Sequence, residues 1–247
     1  MIVKLYAGPA QRRAVREGVA LTALTEYASV PFHVPELVAF GPLPLSDVLA
    51  VVLGDLGDLT LRRAMETGSP SRGAALGTLG RLLAAFHRVP YPHRPSARPR
   101  LSGQVSALQR QLPESLRKAT RTVLDQVILT GDDLPPVWCH GDLHLDNVLL
   151  TPNGETQDVS LIDFEQITFA PAEYDLAQTI VTADALDPAQ RDLVLAGYGS
   201  AASADVLTGL ITFQVLRGWH WAAVHEKRDI DLWRSRLHRV LTPKGMP

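Results

Sequence analysis

The segment from residue 140 to residue 164 constrains this chain more than any other. It places Asp142 and Asn147 before an apolar run, a Pro-Asn-Gly sequence at 152–154 after that run, and Asp163 at the end of a second apolar run. Two apolar runs around such a turn sequence predict a β-hairpin. The hairpin therefore carries three oxygen-bearing side chains at its open end.

The length of the turn decides whether these side chains meet. A two-residue turn centred on Asn153 and Gly154 would pair Asn147 with Ser160. It would leave Asp163 about 10 Å further along the strand, at roughly 3.3 Å per residue. A loop two or three residues longer would set Asp163 beside Asn147. Because the chemistry argued below needs those two side chains together, we predict the longer loop.

The residue types at these positions suit phosphoryl transfer. Carboxylate and carboxamide oxygens are hard ligands, which Mg²⁺ prefers when it also holds phosphate oxygens. Asn147 and Asp163 would supply such ligands, and Asp142 would remain free to accept a proton from an attacking hydroxyl. Positioning, a divalent cation and a carboxylate base are what phosphoryl transfer requires. The pattern therefore predicts that reaction class.

Composition excludes several other classes. The 247 residues are 46% hydrophobic and 20% charged, with a formal net charge of −2, so no global field favours nucleic acid or an anionic membrane surface. No apolar stretch reaches the roughly 18 residues of a transmembrane helix. Cys139 is the single cysteine, which excludes an intrachain disulfide. Together with an N-terminus that lacks a secretory signal, it predicts a cytoplasmic protein.

The spacing of apolar residues divides the chain into two parts. Alternating runs at 2–6, 36–40 and 48–53 predict strands, and helical spacing over 11–27 predicts a helix between the first two. After the connector at 54–58 the pattern is mainly helical. The helix at 11–27 shows an apolar stripe made of Val15, Val19, and Thr22 or Ala23.

The region 135–180 resembles the aminoglycoside phosphotransferase and choline kinase family, relatives of the eukaryotic protein kinases. That family has His-Gly-Asp where protein kinases have His-Arg-Asp, and Asp-Phe or Asp-Trp where they have Asp-Phe-Gly. Ile162-Asp163-Phe164 matches the second motif, and 170–177 resembles a segment whose aspartate, Asp175 here, is structural.

The resemblance implies an α+β, bilobal protein-kinase-like fold. A small N-terminal lobe of β-sheet and helix, with the hinge, would span 1–56. A larger, mainly helical lobe for catalysis and substrate binding would span 57–247.

The same resemblance assigns roles around the hairpin. Asp142 resembles the catalytic base, and His140 resembles the residue that packs under the catalytic loop and fixes its shape. Asn147 and Asp163 resemble the two Mg²⁺ ligands. The implied donor is ATP, with Mg²⁺ as cofactor, although GTP stays open as an alternative.

Further residues resemble the nucleotide-binding positions of the family. Lys4, on the first strand, matches a lysine that contacts the α- and β-phosphates and is held by a glutamate of the next helix, here Glu17. The family's hinge binds the adenine edge through backbone groups, and other side chains sandwich the ring. The matching hinge positions are Leu53 and Asp55, and the matching sandwich positions are Leu149 and Ile162.

The start of the chain departs from the family pattern. In the family, the lysine that matches Lys4 is preceded by two strands and a phosphate-covering loop. We therefore expect an N-terminal lobe that lacks these two strands and this loop. Three explanations stay open: a start codon assigned too late, a truncated gene, or a short lobe in which Lys4, Mg²⁺ and the hinge suffice. We favour the first. A catalytically impaired nucleotide-binding protein is the alternative function.

A zinc hydrolase is a second alternative. His140, Asp142 and His144 form a His-x-Asp-x-His sequence, and such side chains bind zinc. A zinc site would need three or four converging ligands, and the other histidines follow no motif.

The acceptor site should lie among the C-terminal helices. Aminoglycosides are polycations, yet residues 188–247 hold five acidic and eight basic residues, which disfavours a broad acidic trough. Trp219, Trp221 and Trp233 fit core or interface packing better than a cage for a quaternary ammonium group. A small hydroxyl compound is the predicted partner, either an aminoglycoside or a similar alcohol or amino alcohol. A sugar and a homoserine-like amino acid also stay open, as does the oligomeric state.

Overall fold

The computed structural model describes residues 1–26, 30–90, 100–153, 156–199, 203–225 and 229–242. A three-stranded sheet and one helix come first, and a mainly helical part follows. The strands are β1 (Ile2–Ala7), β2 (Leu37–Pro42), β3 (Val48–Leu53), β4 (Pro136–Cys139), β5 (Val148–Asn153), β6 (Thr156–Leu161) and β7 (Thr168–Pro171). The helices are α1 (Gln11–Thr25), α2 (Leu61–Glu66), α3 (Arg72–His87), α4 (Leu101–Gln111), α5 (Glu114–Thr130), α6 (Ala172–Thr182), α7 (Pro188–Tyr198), α8 (Ala204–Val224) and α9 (Ile230–Leu241).

The N-terminal sheet has the order β1-β3-β2, and both neighbouring pairs are antiparallel. Val51 in the central strand lies opposite Lys4 on one side and Phe40 on the other. Directly paired residues point to the same face of a sheet. The Phe40 ring lies against Gly18 of α1, so α1 covers the face that carries Lys4.

Helix α1 does not use its apolar stripe for the core. Val15 and Val19 are 46% and 49% exposed, whereas Ala14, Leu21 and Glu17 are fully buried. The stripe of Val15 and Val19 therefore does not point inward. The buried face is centred on Glu17. A hydrophobicity pattern places a glutamate on the solvent side, because the pattern contains no information on the distant residues that neutralise its charge.

Strands β5 and β6 form the predicted hairpin, but the predicted longer loop is wrong. Asn153 lies opposite Thr156, so two residues separate the paired ends; those two lie outside the described residues. The turn falls one residue later than a turn centred on Asn153 and Gly154 would. This register pairs Val148 with Leu161, and a one-residue slip would move the apolar side chains to opposite faces.

A cluster of rings joins the helical part to the segment that carries the predicted motifs. The ring of Phe86, in α3, lies 5.5 Å from Trp138, 5.8 Å from His140 and 6.0 Å from Phe164, measured between ring centroids. Phe86 and Phe164 are fully buried. The two predicted motifs are therefore packed against one rigid element. None of the helices among the described residues has the length and apolarity needed to cross a bilayer.

Candidate active site

Asp175, on α6, holds the backbone of the predicted catalytic loop. Its buried carboxylate accepts hydrogen bonds from the N–H groups of His140 (2.7 Å) and Gly141 (2.9 Å), and His87 Nε2 lies 3.1 Å from it. Gly141 has a φ of 80°, and a Cβ there would lie 2.3 Å from the carbonyl oxygen of Gln166. Glycine is thus required at this position of the His-Gly-Asp sequence. These contacts agree with the structural role predicted for Asp175.

His140 connects the loop to the end of the hairpin. Its Nδ1 accepts a hydrogen bond from the N–H of Asp142 (3.4 Å), so Nε2 carries the proton and donates to the carbonyl oxygen of Ile162 (3.1 Å). The ring packs on Phe164 at 4.9 Å between centroids. Burial lowers the pKa of His140, which keeps the imidazole neutral. The contacts fit the prediction that His140 fixes the shape of the loop.

Lys4 is the point where the N-terminal sheet meets the hairpin. Its Nζ lies 2.7 Å from Oε1 of Glu17 and 2.8 Å from Oδ1 of Asp163. Burial alone would lower the pKa of Lys4, but the hydrogen bonds to Asp163 and Glu17 outweigh it and raise the pKa above the ordinary 10.5. Lys4 therefore stays charged between two carboxylates. The structure brings together three residues that the sequence predicted separately.

Tyr6 and Glu165 extend this cluster, and the sequence did not single them out. The Tyr6 hydroxyl lies 2.9 Å from Oε2 of Glu17 and 3.1 Å from Oε2 of Glu165. Burial, followed by the nearby Glu17 and Glu165 charges, raises the pKa of Tyr6, so the hydroxyl keeps its proton for donation. Arg13 pairs with Glu165 at 3.3 Å. The available signal was that Tyr6 shares a strand face with Lys4.

Asn147 and Asp163 present oxygen ligands at the open end of the hairpin. The Asn147 side-chain nitrogen donates to the carbonyl oxygen of Asp142 (2.9 Å), which leaves the amide oxygen available as a ligand. The Ile162 N–H donates to the carbonyl oxygen of Asn147 (3.1 Å). Asp163 is the next residue along the chain, so this bond sets its backbone close to that of Asn147. Asp163 adopts the left-handed region, with φ 68° and ψ 60°. An oxygen-only donor set of amide and carboxylate fits Mg²⁺.

Asp142 has an environment suited to a proton acceptor. Burial raises the pKa of its carboxyl group, the neighbouring His144 side chain and the Arg217 guanidinium oppose that rise, and the negative charge of Asp163 adds to it. Gln178 forms a hydrogen bond with the Asp142 carboxylate, and the Gln178 Oε1 atom accepts from Arg217 Nη2 (2.9 Å). Neither Gln178 nor Arg217 belongs to a motif that the sequence made visible.

The predicted adenine-site residues lie at the end of β3 and on the hairpin. Leu53 is 3% exposed, and the Asp55 carboxylate accepts the N–H of Gly57 (3.0 Å). Leu149 is 5% exposed in β5, and Ile162 is half-buried just after β6. Their contact with a nucleotide base stays a prediction.

The ligand set of the zinc alternative does not converge. Among the described residues, His87, Cys139 and Asp175 are the one group of three such side chains with ligand atoms within 4.8 Å of one another. Nδ1 of His144 accepts the N–H of Asp146 (3.2 Å), and both His140 nitrogens already have backbone partners. The arrangement therefore favours the phosphoryl-transfer interpretation over zinc hydrolysis.

A cavity of about 850 Å³ opens beside Asp142. Residues of α1, α4, the predicted catalytic loop, β7, α6, α8 and α9 line it, together with Gln166. Trp221 and Trp233 both line it, and Trp221 is 48% exposed. Gly218 lets Trp233 lie against α8, because a Cβ there would come within 2.2 Å of the ring. These two tryptophans thus contribute to a cavity wall, and Trp233 also packs against the core, as Trp219 does.

A small sheet with a Lys–Glu pair, set against a helical part that carries His-Gly-Asp and Asp-Phe, defines a kinase-like phosphotransferase. The model of the phosphotransferase enzyme family, APH, matches residues 1–213. The chain therefore belongs to that family. A search among curated proteins gives no significant match.

Solved structures of this fold agree with that assignment. The aminoglycoside phosphotransferase APH(2")-IIIa with GDP and kanamycin has a TM-score of 0.69 at 15% identity, over 94% of this chain and 84% of that one. Choline kinase LicA from Streptococcus pneumoniae has a TM-score of 0.66 at 17% identity, over 99% and 84%. A microcompartment-associated aminopropanol kinase has a TM-score of 0.64 at 19% identity, over 99% and 87%. The fold of this chain is thus protein-kinase-like, as predicted.

Proposed function

We propose that this protein is a small-molecule kinase, which transfers the γ-phosphate of ATP to a hydroxyl group of a small alcohol. The observation that carries the proposal is the contact of Lys4 with both Glu17 and Asp163, next to the loop that holds Asp142. Those contacts support the proposal because they join Lys4, the proposed phosphate-binding cation, to Asp163, a proposed metal ligand. The fold neighbours include kinases solved with GDP or ADP, which supports nucleotide binding.

Each residue has a task in this proposal. Lys4, held by Glu17, binds the α- and β-phosphates, and Asn147 and Asp163 would hold Mg²⁺. That metal would supply charge neutralisation at the phosphate oxygens. Asp142 orients the acceptor hydroxyl for in-line attack and takes its proton. Positioning and charge stabilisation supply most of the rate.

The decisive experiment combines two matched substitutions in the same loop. Asp142→Asn removes the base, whereas Asp146→Asn removes a carboxylate that pairs with Arg62 at 2.8 Å. With an acceptor, ATP and Mg²⁺, we expect Asp142→Asn to lower kcat at least about 10²-fold. Asp146→Asn should stay within about threefold of the parent. Phosphorus NMR measures the formation of the phosphorylated product.

The same proteins distinguish an active kinase from the alternative, an impaired nucleotide-binding protein. Thermal-shift measurements with ATP and Mg²⁺ report binding, and a coupled assay reports turnover. Binding without turnover on any acceptor or on water would favour the impaired protein. Equal turnover by the parent and Asp142→Asn would remove Asp142 as the base.

A further inference from the structure

Arg217 presents a charge to the cavity without a carboxylate partner. Its Nη1 donates to the Tyr174 hydroxyl (2.6 Å) and its Nη2 to Gln178 Oε1 (2.9 Å), and both acceptors are neutral. Within the described part of the chain, no carboxylate oxygen lies within 4.0 Å of the Arg217 nitrogens. The neutral contacts fix the guanidinium plane but do not compensate its charge. A rigid, uncompensated guanidinium is suited to bind an anion in bidentate fashion.

Arginines outnumber carboxylates on the wall of the cavity. Arg13 and Arg16 line the wall together with Arg217, and Glu165 neutralises Arg13. Of the carboxylates in the described residues, Asp142 alone belongs to the lining. Arg16 and Arg217 thus outnumber the single carboxylate. A polycation placed here would meet like charges, which is costly in a partly dehydrated cavity.

Gln214 supplies an independent sign of a missing ligand group. The residue is 2% exposed and lines the cavity from α8. Its Nε2 reaches the carbonyl oxygen of Tyr174 (3.5 Å), but its Oε1 is buried and has no hydrogen-bond partner in the described structure. Buried polar atoms are normally satisfied. An acceptor substrate with an O–H or N–H donor would satisfy this oxygen.

Gln178 ties the anion site to the reacting hydroxyl. Its side chain bonds to both Arg217 and Asp142, so the two ends of the substrate would lie one amide apart. A long molecule that separates its charge from its hydroxyl does not match this spacing. The wall therefore selects a compact acceptor.

We propose that the acceptor is a small alcohol carrying an anionic group, a carboxylate or a phosphate, which Arg217 binds while Asp142 receives the hydroxyl and Gln214 a second donor group. The inference rests on the proposed kinase function. In the transfer step, the acceptor oxygen forms a bond to the γ-phosphorus, the bond to the β,γ-bridging oxygen breaks, and the hydroxyl proton passes to Asp142. ADP leaves with the electron pair.

The test compares matched acceptor pairs with the full chain and MgATP or MgGTP. D-glycerate is paired with D-glyceramide, L-homoserine with L-homoserinamide, and sn-glycerol 3-phosphate with glycerol; kanamycin is the polycation. We expect the anionic member of at least one pair to exceed its neutral partner on the order of 30-fold in kcat/KM. The carboxylate and phosphate arms identify the source of the anion. Equal use of both members in every pair, or a preference for kanamycin, would overturn the proposal.

Two variants connect the preference to Arg217. Arg217→Gln should reduce the anion-to-neutral ratio of kcat/KM at least about tenfold. The separate variant Arg217→Lys, which keeps the positive charge, should retain part of that ratio. Arg121→Gln, an exposed arginine on α5 that pairs with Asp125, serves as the control with an unchanged ratio. If Arg217 instead acts on the transferred phosphoryl group, both members fall equally and the ratio stays constant, which contradicts the proposal. Thermal unfolding of each variant checks that it is folded.

A binding measurement keeps the anion site separate from the kinase reaction. Calorimetric titration of each pair into the protein loaded with MgADP, which has no γ-phosphate to transfer, measures anion preference without turnover. Tighter binding of the anionic members without phosphoryl transfer would reject the kinase function and keep the anion site. Transfer to neutral members without anion preference would keep the kinase and reject the anion site.

Discussion

Lys4 Nζ lies 2.8 Å from Oδ1 of Asp163, and the two residues are 159 positions apart in the chain. The contact joins the first strand to a residue two positions beyond the hairpin. Because Glu17 is fully buried and lies 2.7 Å from the same ammonium group, removal of Lys4 would leave two carboxylates facing each other across its position.

Lys4→Met should therefore lower both activity and stability. We expect kcat/KM for the nucleotide to fall at least about 10²-fold and the free energy of unfolding to fall by about 1–3 kcal/mol, because among the described residues Glu17 keeps only the Tyr6 hydroxyl as a hydrogen-bond partner. Urea unfolding measures the second effect. Adding Glu17→Gln to Lys4→Met should recover much of the stability but none of the activity. Additive losses of stability would show that the two residues are not coupled.

Asp142→Asn should stabilise the metal-free protein at neutral pH. Burial raises the pKa of Asp142, so the folded state favours the protonated form and loses stability as pH rises from below the unfolded-state pKa through the raised folded-state pKa. Asparagine removes that cost. Thermal unfolding in EDTA should give a higher Tm for Asp142→Asn at pH 7, and the difference should vanish near pH 3. An equal or lower Tm at pH 7 contradicts the environment described for this carboxylate.

Asp175→Asn should weaken the loop without touching the cavity. Both carboxylate oxygens accept a backbone N–H, and the asparagine amide would set an N–H donor against one of them. We expect a loss of about 2–4 kcal/mol in the free energy of unfolding and a lower kcat. Hydrogen exchange at the amides of His140 and Gly141 reports the same change locally. Unaltered protection there would show that the loop has another anchor.

Gly141→Ala tests the close approach between the loop and Gln166. A Cβ at this position meets backbone at 2.3 Å and must adopt a φ of 80°, so we expect a loss of about 2–4 kcal/mol and at least about tenfold in kcat. Gly103→Ala is the control, because Gly103 lies in α4 and, among the described residues outside its own helix backbone and its chain neighbours, no heavy atom comes within 4 Å of a new Cβ. The control should gain about 0.5–1 kcal/mol in the free energy of unfolding.

The local motifs were visible in the sequence because each is built from neighbouring residues. His-Gly-Asp, the asparagine five residues later and Asp-Phe identified the hairpin and its chemistry. Lys4 and Glu17 were found because a strand lysine followed by a helix glutamate is also a short-range pattern. In the structure these predicted residues contact one another as the fold requires.

The remaining features depend on contacts between distant elements. The hairpin register is decided by which apolar side chains pair, so neither the predicted longer loop nor a two-residue turn centred on Asn153 and Gly154 matches it. The inward face of α1 is centred on the buried Glu17, so the apolar stripe of Val15 and Val19 did not predict which face of the helix is buried. Gln178, Gln214 and Arg217 lie outside the recognised motifs, and only the packing of α6 against α8 brings them to the cavity.

The left-handed backbone at Asp163 limits which substitutions this position can tolerate. Aspartate and asparagine tolerate that conformation far better than longer or branched residues, and glycine accepts it freely. Asp163→Glu keeps the negative charge yet opposes the backbone, whereas Asp163→Asn keeps the backbone and loses the charge. A relative that has lost the proposed metal ligand should therefore carry asparagine or glycine at this position. Such a protein would stay folded, and only the missing negative charge at residue 163 would reveal its inactivity.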